Sequence, residues 1–136
     1  MSTFSAIDIG RTGVGFSKYW TDVIAHNMAN VNTVRAAGEA PFRQRLVVAQ
    51  ALGEQIAPTG SGTAVREVIE DQREAPTAFD PTNPLADEDG YVTHPVVDMA
   101  GQMTDLILAN RTYQVNLKVI ETGREAYQSA LRIGTR

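Results

Sequence analysis

Cysteine is absent from the 136 residues. Disulfides, thiolate metal sites and thiol nucleophiles are thereby excluded, and the redox compartment cannot be read from thiol usage. No apolar run reaches about 18 residues, so no transmembrane helix is expected. The N-terminus has no charged start, no continuous apolar stretch and no small-residue cleavage site, so a cleaved secretory signal is not expected. Histidine occurs only as His26 and His94, neither with a partner at zinc-ligand spacing. No basic stripe interleaved with aromatics occurs, which argues against nucleic-acid binding.

Chemistry-bearing motifs are equally scarce. There is no G-x-S-x-G turn, and Gly60-Ser61-Gly62-Thr63 lacks the lysine of a phosphate loop. Gly10, Gly13 and Gly15 do not follow a strand and do not fit a dinucleotide fingerprint. Asp87-Glu88-Asp89-Gly90 invites a calcium-loop reading. That alignment puts Leu85 first and Val96 twelfth, where carboxylates are required. A solvated acidic turn is the better reading. No positioned acid, base or nucleophile can be assembled. The expectation is a non-enzymatic chain without catalytic residues, cofactor or metal.

What the sequence does contain is heptad spacing at both ends. From Met99 the line Met103, Leu106, Asn110, Tyr113, Leu117, Ile120, Arg124, Tyr127 and Leu131 steps alternately by four and three. A matching line runs through Ile7, Gly10, Val14, Ser17, Thr21, Ile24, Met28 and Val31. Beside it lies a second apolar stripe of Ile9, Phe16, Trp20 and Val23. The predicted fold is mainly α: long N- and C-terminal helices pair as a coiled coil around a small β-hairpin and extended middle segment. Residues 1–33 and 96–136 form the helical domain, and 34–95 the middle segment. The seams suit pairing between the chain's own ends, with neighbours, or both.

Local signals refine this. Ser5 and Asp8 resemble a capping box for a helix from about Thr3 to Asn30. Asn30-Val31-Asn32-Thr33 should close it, since Asn tolerates the left-handed conformation. The three glycines either admit another backbone closely or mark a frayed first turn. Phe42–Ala51 reads as a strand, with a helical turn as the alternative. Val65–Asp71 reads as a second strand with Val65 and Ile69 inward, the Gly/Ser tip between them making a hairpin. Residues 75–95 hold four prolines and read as irregular. Pro95 suits the first position of the last helix, His94 a cap, and Asp98 its first turn. That helix should run to about Ile133, with Gly134 closing it. Asn110 either fixes register in the seam or rotates to solvent; for Arg124 the solvent reading is better. Charge is uneven: residues 51–100 carry ten acidic against two basic side chains, and both flanks are mildly basic.

Several segments resemble one known family. Ala25-His26-Asn27-Met28-Ala29-Asn30-Val31-Asn32-Thr33 resembles the N-terminal signature of bacterial flagellar rod and hook proteins, with His26 where a small residue is usual. Asn110-Arg111-Thr112-Tyr113-Gln114-Val115-Asn116 resembles their Arg-x-Tyr-x-x-Asn stretch. Gly38 with Pro41-Phe42-Arg43-Gln44-Arg45, and the run Phe79-Asp80-Pro81 through Pro84-Leu85-Ala86-Asp87 to Gly90-Tyr91-Val92, are similar to the proximal-rod members. The resemblance covers nearly the whole chain and is weakest over 50–75.

It implies a structural subunit of the flagellar basal-body rod, with terminal helices in the inner layer of a tube that transmits torque and surrounds the export channel. It implies type III export without cleavage and assembly in the periplasm-spanning rod. The implied partners are further copies of the chain, the rod proteins FlgB, FlgF and FliE, and the flagellar export apparatus; no nucleic acid and no membrane span are implied. Asn27, Asn30, Asn32, Asn110, Arg111, Tyr113 and Asn116 carry over as packing and interface residues. The rival reading is a soluble coiled-coil adaptor or export chaperone, which explains the seams but not the proline-rich run before Pro95.

Overall fold

The computed structural model of the protein describes residues 3–36, 38–53 and 61–134. The order of elements is α1 (Thr3–Ala29), β1 (Arg45–Ala51), β2 (Thr63–Glu70), β3 (Thr77–Phe79), β4 (Tyr91–Thr93) and α2 (Met99–Gly134). β1 pairs with β2 and β3 with β4, making two two-stranded sheets. The chain divides into two compact units. One comprises Met1–Thr21, Val47–Glu67 and Ile107–Arg136, the other Asp22–Leu46 and Val68–Leu106. Among the described residues no helix is long and apolar enough to cross a membrane.

In the first unit α1 packs on α2 through absent side chains. A Cβ on Gly10 would come within 2.8 Å of Ile120 Cγ1 and 3.4 Å of the Asn116 carbonyl oxygen. One on Gly13 would overlap the Asn116 carboxamide. Only glycine allows the helices this close. Gly15 faces open space, so close approach accounts for two of the three glycines, and the helix is continuous through all of them. Ser17 is fully buried and donates to the Gly13 carbonyl at 2.8 Å. Ala109 is fully buried on α2. The Phe16 and Trp20 rings meet at 5.9 Å.

The β1–β2 hairpin takes the strand alternative for 42–51. Asp71 donates its amide to Gln44 O and Leu52 to Gly62 O, so the strands run antiparallel. The first half of the predicted tip, residues 58–60, lies outside the described residues. Of the two positions expected inward on β2, Val65 is half-buried but Ile69 is exposed, while Val68, on the opposite face of the strand, is half-buried. Thr63 donates its amide to Thr12 Oγ1 at 3.0 Å, and Gly62, at φ +114°, lets that threonine close in.

In the second unit Ile24, Val92 and Val96 form the buried apolar core. β3 and β4, expected to be irregular, pair antiparallel with Thr77 opposite Thr93 and Phe79 opposite Tyr91. Three-residue strands offer no alternation to read, and their pairing depends on the turn between them. That turn is built on Asp87, whose carboxylate accepts from the amides of Asp89 (3.1 Å) and Tyr91 (2.7 Å). Asp87 is therefore a turn organiser as well as a solvated acid.

The helix ends differ from expectation at three points. Ser5 and Asp8 lie inside α1 and do not cap it; Asp8 faces Arg11 one turn on, at 3.9 Å. Among the described residues beyond Ala29, no non-glycine residue turns left-handed. The helix instead unwinds through tight turns, Asn30 N–H to Asn27 O, Val31 N–H to Met28 O and Thr33 N–H to Asn30 O. Asn30 also donates its side chain to His26 O at 2.8 Å. Pro95 does not begin α2, nor does His94 cap it. Val96 is drawn into a bridge with Arg43, which keeps this stretch extended until Asp98. Asp98 is the N-cap: its Oδ1 accepts from the Gly101 amide at 3.0 Å. α2 then runs 36 residues, on the order of 54 Å, and ends at Gly134.

Candidate assembly surface

The second unit is tied together by a continuous polar chain. Asn27, on the last turn of α1, donates Nδ2 to Arg45 O at 2.8 Å and accepts the Arg45 amide on Oδ1 at 2.8 Å. A carboxamide thus pairs with the first residue of β1 as a strand would. The same Nδ2 donates to Gln102 Oε1 at 2.9 Å. Gln102 donates to Gln44 Oε1 at 3.3 Å, which also accepts the Asp98 amide at 3.0 Å. Gln44 Nε2 donates to Asp71 Oδ2 at 2.8 Å. Asn27, Gln44, Gln102 and Asp71 are all buried. Among the described residues no buried side-chain nitrogen or oxygen lacks a partner, so the network meets the full cost of burying polar groups.

Its outer end is ionic. Arg73 donates Nη2 and Nε to Asp71 Oδ2 at 2.7 and 2.8 Å, and its amide to Oδ1 at 2.9 Å. These bonds from Arg73, with a smaller one from Gln44, hold the Asp71 carboxyl down from 3.8 to about 2, against the opposing pull of burial. Arg43 donates to the carbonyls of Asp71 and Arg73 at 2.9 and 2.6 Å and fixes the same corner.

The first unit presents a different face. The inward line of α2 runs through residues spaced by seven: Gln102 in the second unit, then Ala109, Asn116 and Gly123 in the first, all buried or half-buried. The large apolar side chains flank this line on both sides. One row contains Tyr113, Leu117 and Leu131, the other Leu108, Val115, Val119 and Ile133, and all of these are exposed. Val115 is 62 % and Leu117 43 % exposed. Each row borders a groove of about 470 Å³, one along Leu117, Ile120 and Arg124, the other along Ala6, Val115, Val119 and Ala126. Exposed apolar rows on a helix are candidates for contact with another chain.

The residues singled out from the sequence divide accordingly. Ile24 and Asn27 are buried. Ile7, Val14, Trp20, Met28, Asn30, Leu106, Asn116 and Ile120 are half-buried. Asn32, Met103, Asn110, Arg111, Tyr113, Leu117, Tyr127 and Leu131 are exposed. The structure brings Gly10 and Gly13 to Asn116 and Ile120, and Asn27 to Arg45. Periodicity missed Gln44, Gln102 and Asp71. Only the family-like Pro41–Arg45 segment pointed towards Gln44, and Gln102 gave no signal beyond standing one residue before the apolar line. Among the described residues no group of His, Asp or Glu is placed to hold a metal ion.

Comparison with known proteins sets the chain beside flagellar rod proteins. The family model for the C-terminal region of flagellar basal body rod FlgEFG proteins matches residues 88–133. The flagellar basal-body rod protein FlgC of Yersinia enterocolitica is 35 % identical over 134 residues, covering 98 % of this chain and 99 % of that protein. FlgC of Bacillus subtilis is 30 % identical over 149 aligned positions, with 98 % and 99 % covered. FlgC of Aquifex aeolicus is 33 % identical over 131, with 94 % of each covered.

Proposed function

The chain belongs to the FlgC family of flagellar basal-body rod proteins, and from this we propose that its work is mechanical: packed side by side, its copies form part of the tubular shaft that transmits torque around the export channel. It is a structural subunit and not an enzyme, and it assembles with other flagellar proteins in the basal-body rod. In this reading residues 1–33 and 96–136 pair as a coiled coil in the inner layer of the tube, and residues 34–95 lie outside it. The neighbours are further copies and the rod proteins FlgB, FlgF and FliE. The chain reaches the periplasmic stretch of the rod through the flagellar type III apparatus, with no signal peptide removed.

One observation supports this above others: the exposed apolar rows on either side of the inward line of α2. The contact with α1 sets Gly10 and Gly13 against Asn116 and Ile120, and leaves Leu117, Val115 and their neighbours uncovered. In a tube, each subunit makes heterologous contacts with several others, and two rows serve two neighbours at once. Burying one such side chain contributes roughly 1.5–3 kcal/mol. The interface residues are then Ile7, Val14, Trp20, Met28, Met103, Leu106, Asn110, Arg111, Tyr113, Leu117, Ile120, Tyr127 and Leu131, with Asn27, Asn30, Asn32, Ile24 and Asn116 setting the packing beneath them. A coiled-coil adaptor would also explain exposed rows, but not identity with rod proteins along the full chain.

Fractionation tests the reading. A tagged chain should co-purify with detergent-extracted basal bodies and resist washing in salt. Recovery wholly in the soluble fraction of a flagellated strain would overturn it.

A further inference from the structure

The turn between β3 and β4 does something the polar chain and the α2 rows do not require. It holds two aromatic rings in solvent. Phe79 is 66 % exposed and Tyr91 is also exposed. They are cross-strand partners whose rings meet edge to face at 5.4 Å. Their support is rigid. Asp80 donates its amide to Gly90 O at 2.9 Å, Asp87 its amide to Tyr91 O at 2.9 Å, and the Asp87 carboxylate fastens the turn. Gly90, at φ +82°, is needed there, since a Cβ would stand 2.9 Å from the Phe79 ring. The turn is therefore pre-organised around the aromatic pair, and preorganised exposed aromatics are the usual anchors of an interface. Beside them Glu88 and Asp89 are exposed, and their carboxylates have no partner among the described residues. The surface that fits this knob is apolar with one strong cation.

The same chain carries that surface. On α2, Ile107, Leu108, Arg111 and Val115 stand at spacings of three and four, which places them on one face. All four are exposed, and Arg111 makes no ion pair among the described residues. Lys118, further along, is already paired with Glu121 at 2.8 Å. Arg111 is thus the α2 cation that combines charge free for a partner with three large apolar neighbours. Its guanidinium matches a carboxylate and can also lie against an aromatic face.

We infer that the Phe79–Tyr91 knob of one copy docks on the Ile107–Val115 face of a second copy, with Glu88 and Asp89 against Arg111. Because knob and face are separate surfaces of one chain, the contact is heterologous and repeats from copy to copy without using itself up. The inference rests on the reading of the chain as an assembling rod subunit and adds which surfaces meet.

The absence of native cysteine makes the test direct. A chain carrying Asp89→Cys and Arg111→Cys, oxidised mildly in purified basal bodies, should give disulfide-linked dimers and higher multimers of this chain. Adding Phe79→Ala should remove most of them, and Asp89→Cys with Ile133→Cys should give none. Presence of the chain in the basal bodies as monomer only, a link to another rod protein only, or equal linking through position 133 would overturn the contact while leaving the rod assignment intact. Charge exchange provides a second route that does not depend on cysteine. Asp89→Arg and Arg111→Glu should each reduce swimming, and the double variant should recover it. A double variant no better than the worse single would also overturn the contact.

Discussion

The side chain of Asn27 stands in for a β-strand: it gives a hydrogen bond to the carbonyl of Arg45 and takes one from the amide of the same residue, both at 2.8 Å. A helix end and a strand start are thereby fixed to one another by a group that is 1 % exposed.

Asn27→Ala should for that reason be costly. It leaves the Arg45 amide and carbonyl and Gln102 Oε1 without their partner. Each buried group so orphaned costs about 1–3 kcal/mol, less where water can reach it. Urea unfolding of the purified variant should show a midpoint shift equivalent to at least about 2 kcal/mol at unchanged slope. Asn27→Asp should be as damaging, because a carboxylate cannot donate to Arg45 O.

The glycines of α1 separate packing from propensity. Gly13→Ala puts a methyl into the Asn116 carboxamide and should lower the melting temperature and impair swimming. Gly15→Ala meets nothing within 4 Å and should stabilise the chain, by up to about 1 kcal/mol. Thermal melts followed by circular dichroism distinguish the two. Equal effects of both substitutions would show that Gly13 is not a close-approach site.

Acid should act on the corner formed by Asp71 and Arg73. Folding lowers the Asp71 carboxyl from 3.8 to about 2, so the native state favours the ionised form. The resulting stability is fully present above about pH 4 and is lost as pH falls towards about 2. Asp71→Asn should be less stable at neutral pH and should lack this part of the acid decline. The comparison to make is the denaturation midpoint against pH for both proteins.

Leu117 tests whether the α2 rows work between molecules. The side chain is 43 % exposed, so Leu117→Asp should lower the stability of the isolated chain by only about 1–2 kcal/mol. It should nevertheless abolish swimming and remove the chain from basal bodies. Leu117→Pro should do the same and also lose helix signal. A strain with Leu117→Asp that swims normally would refute an intermolecular role for this row.

The helices and the first hairpin were legible because each follows from local pattern. The α1 line is the clearest case: Gly10, Ser17 and Ile24, seven residues apart, are all buried. On α2 the pattern reported where apolar residues stand, but not which side faces inward. Inward placement followed the glycines of α1, which meet Asn116 and Ile120 and leave Leu117 exposed. The β3–β4 pair was not legible, since three residues carry no periodicity and the pairing depends on the Asp87 turn. Nor was the polar chain. Gln44, Asp71 and Gln102 are ordinary surface-type residues until the fold removes water from around them, and their spacing along the sequence carries no trace of the bonds they make. Asp98 as the cap, in place of His94, follows from the Arg43–Val96 bridge, a contact between distant residues.

The glycine-lined contact between α1 and α2 has a consequence for handling the molecule before it is built into anything. Because the tight join is made at Gly10 and Gly13 against Asn116 and Ile120, the flanking oily side chains are left in reserve, and any two copies that meet in solution offer each other the same sticky flanks. Self-association of the free chain should therefore rise steeply with concentration, and clumping should start from α2 without prior unfolding.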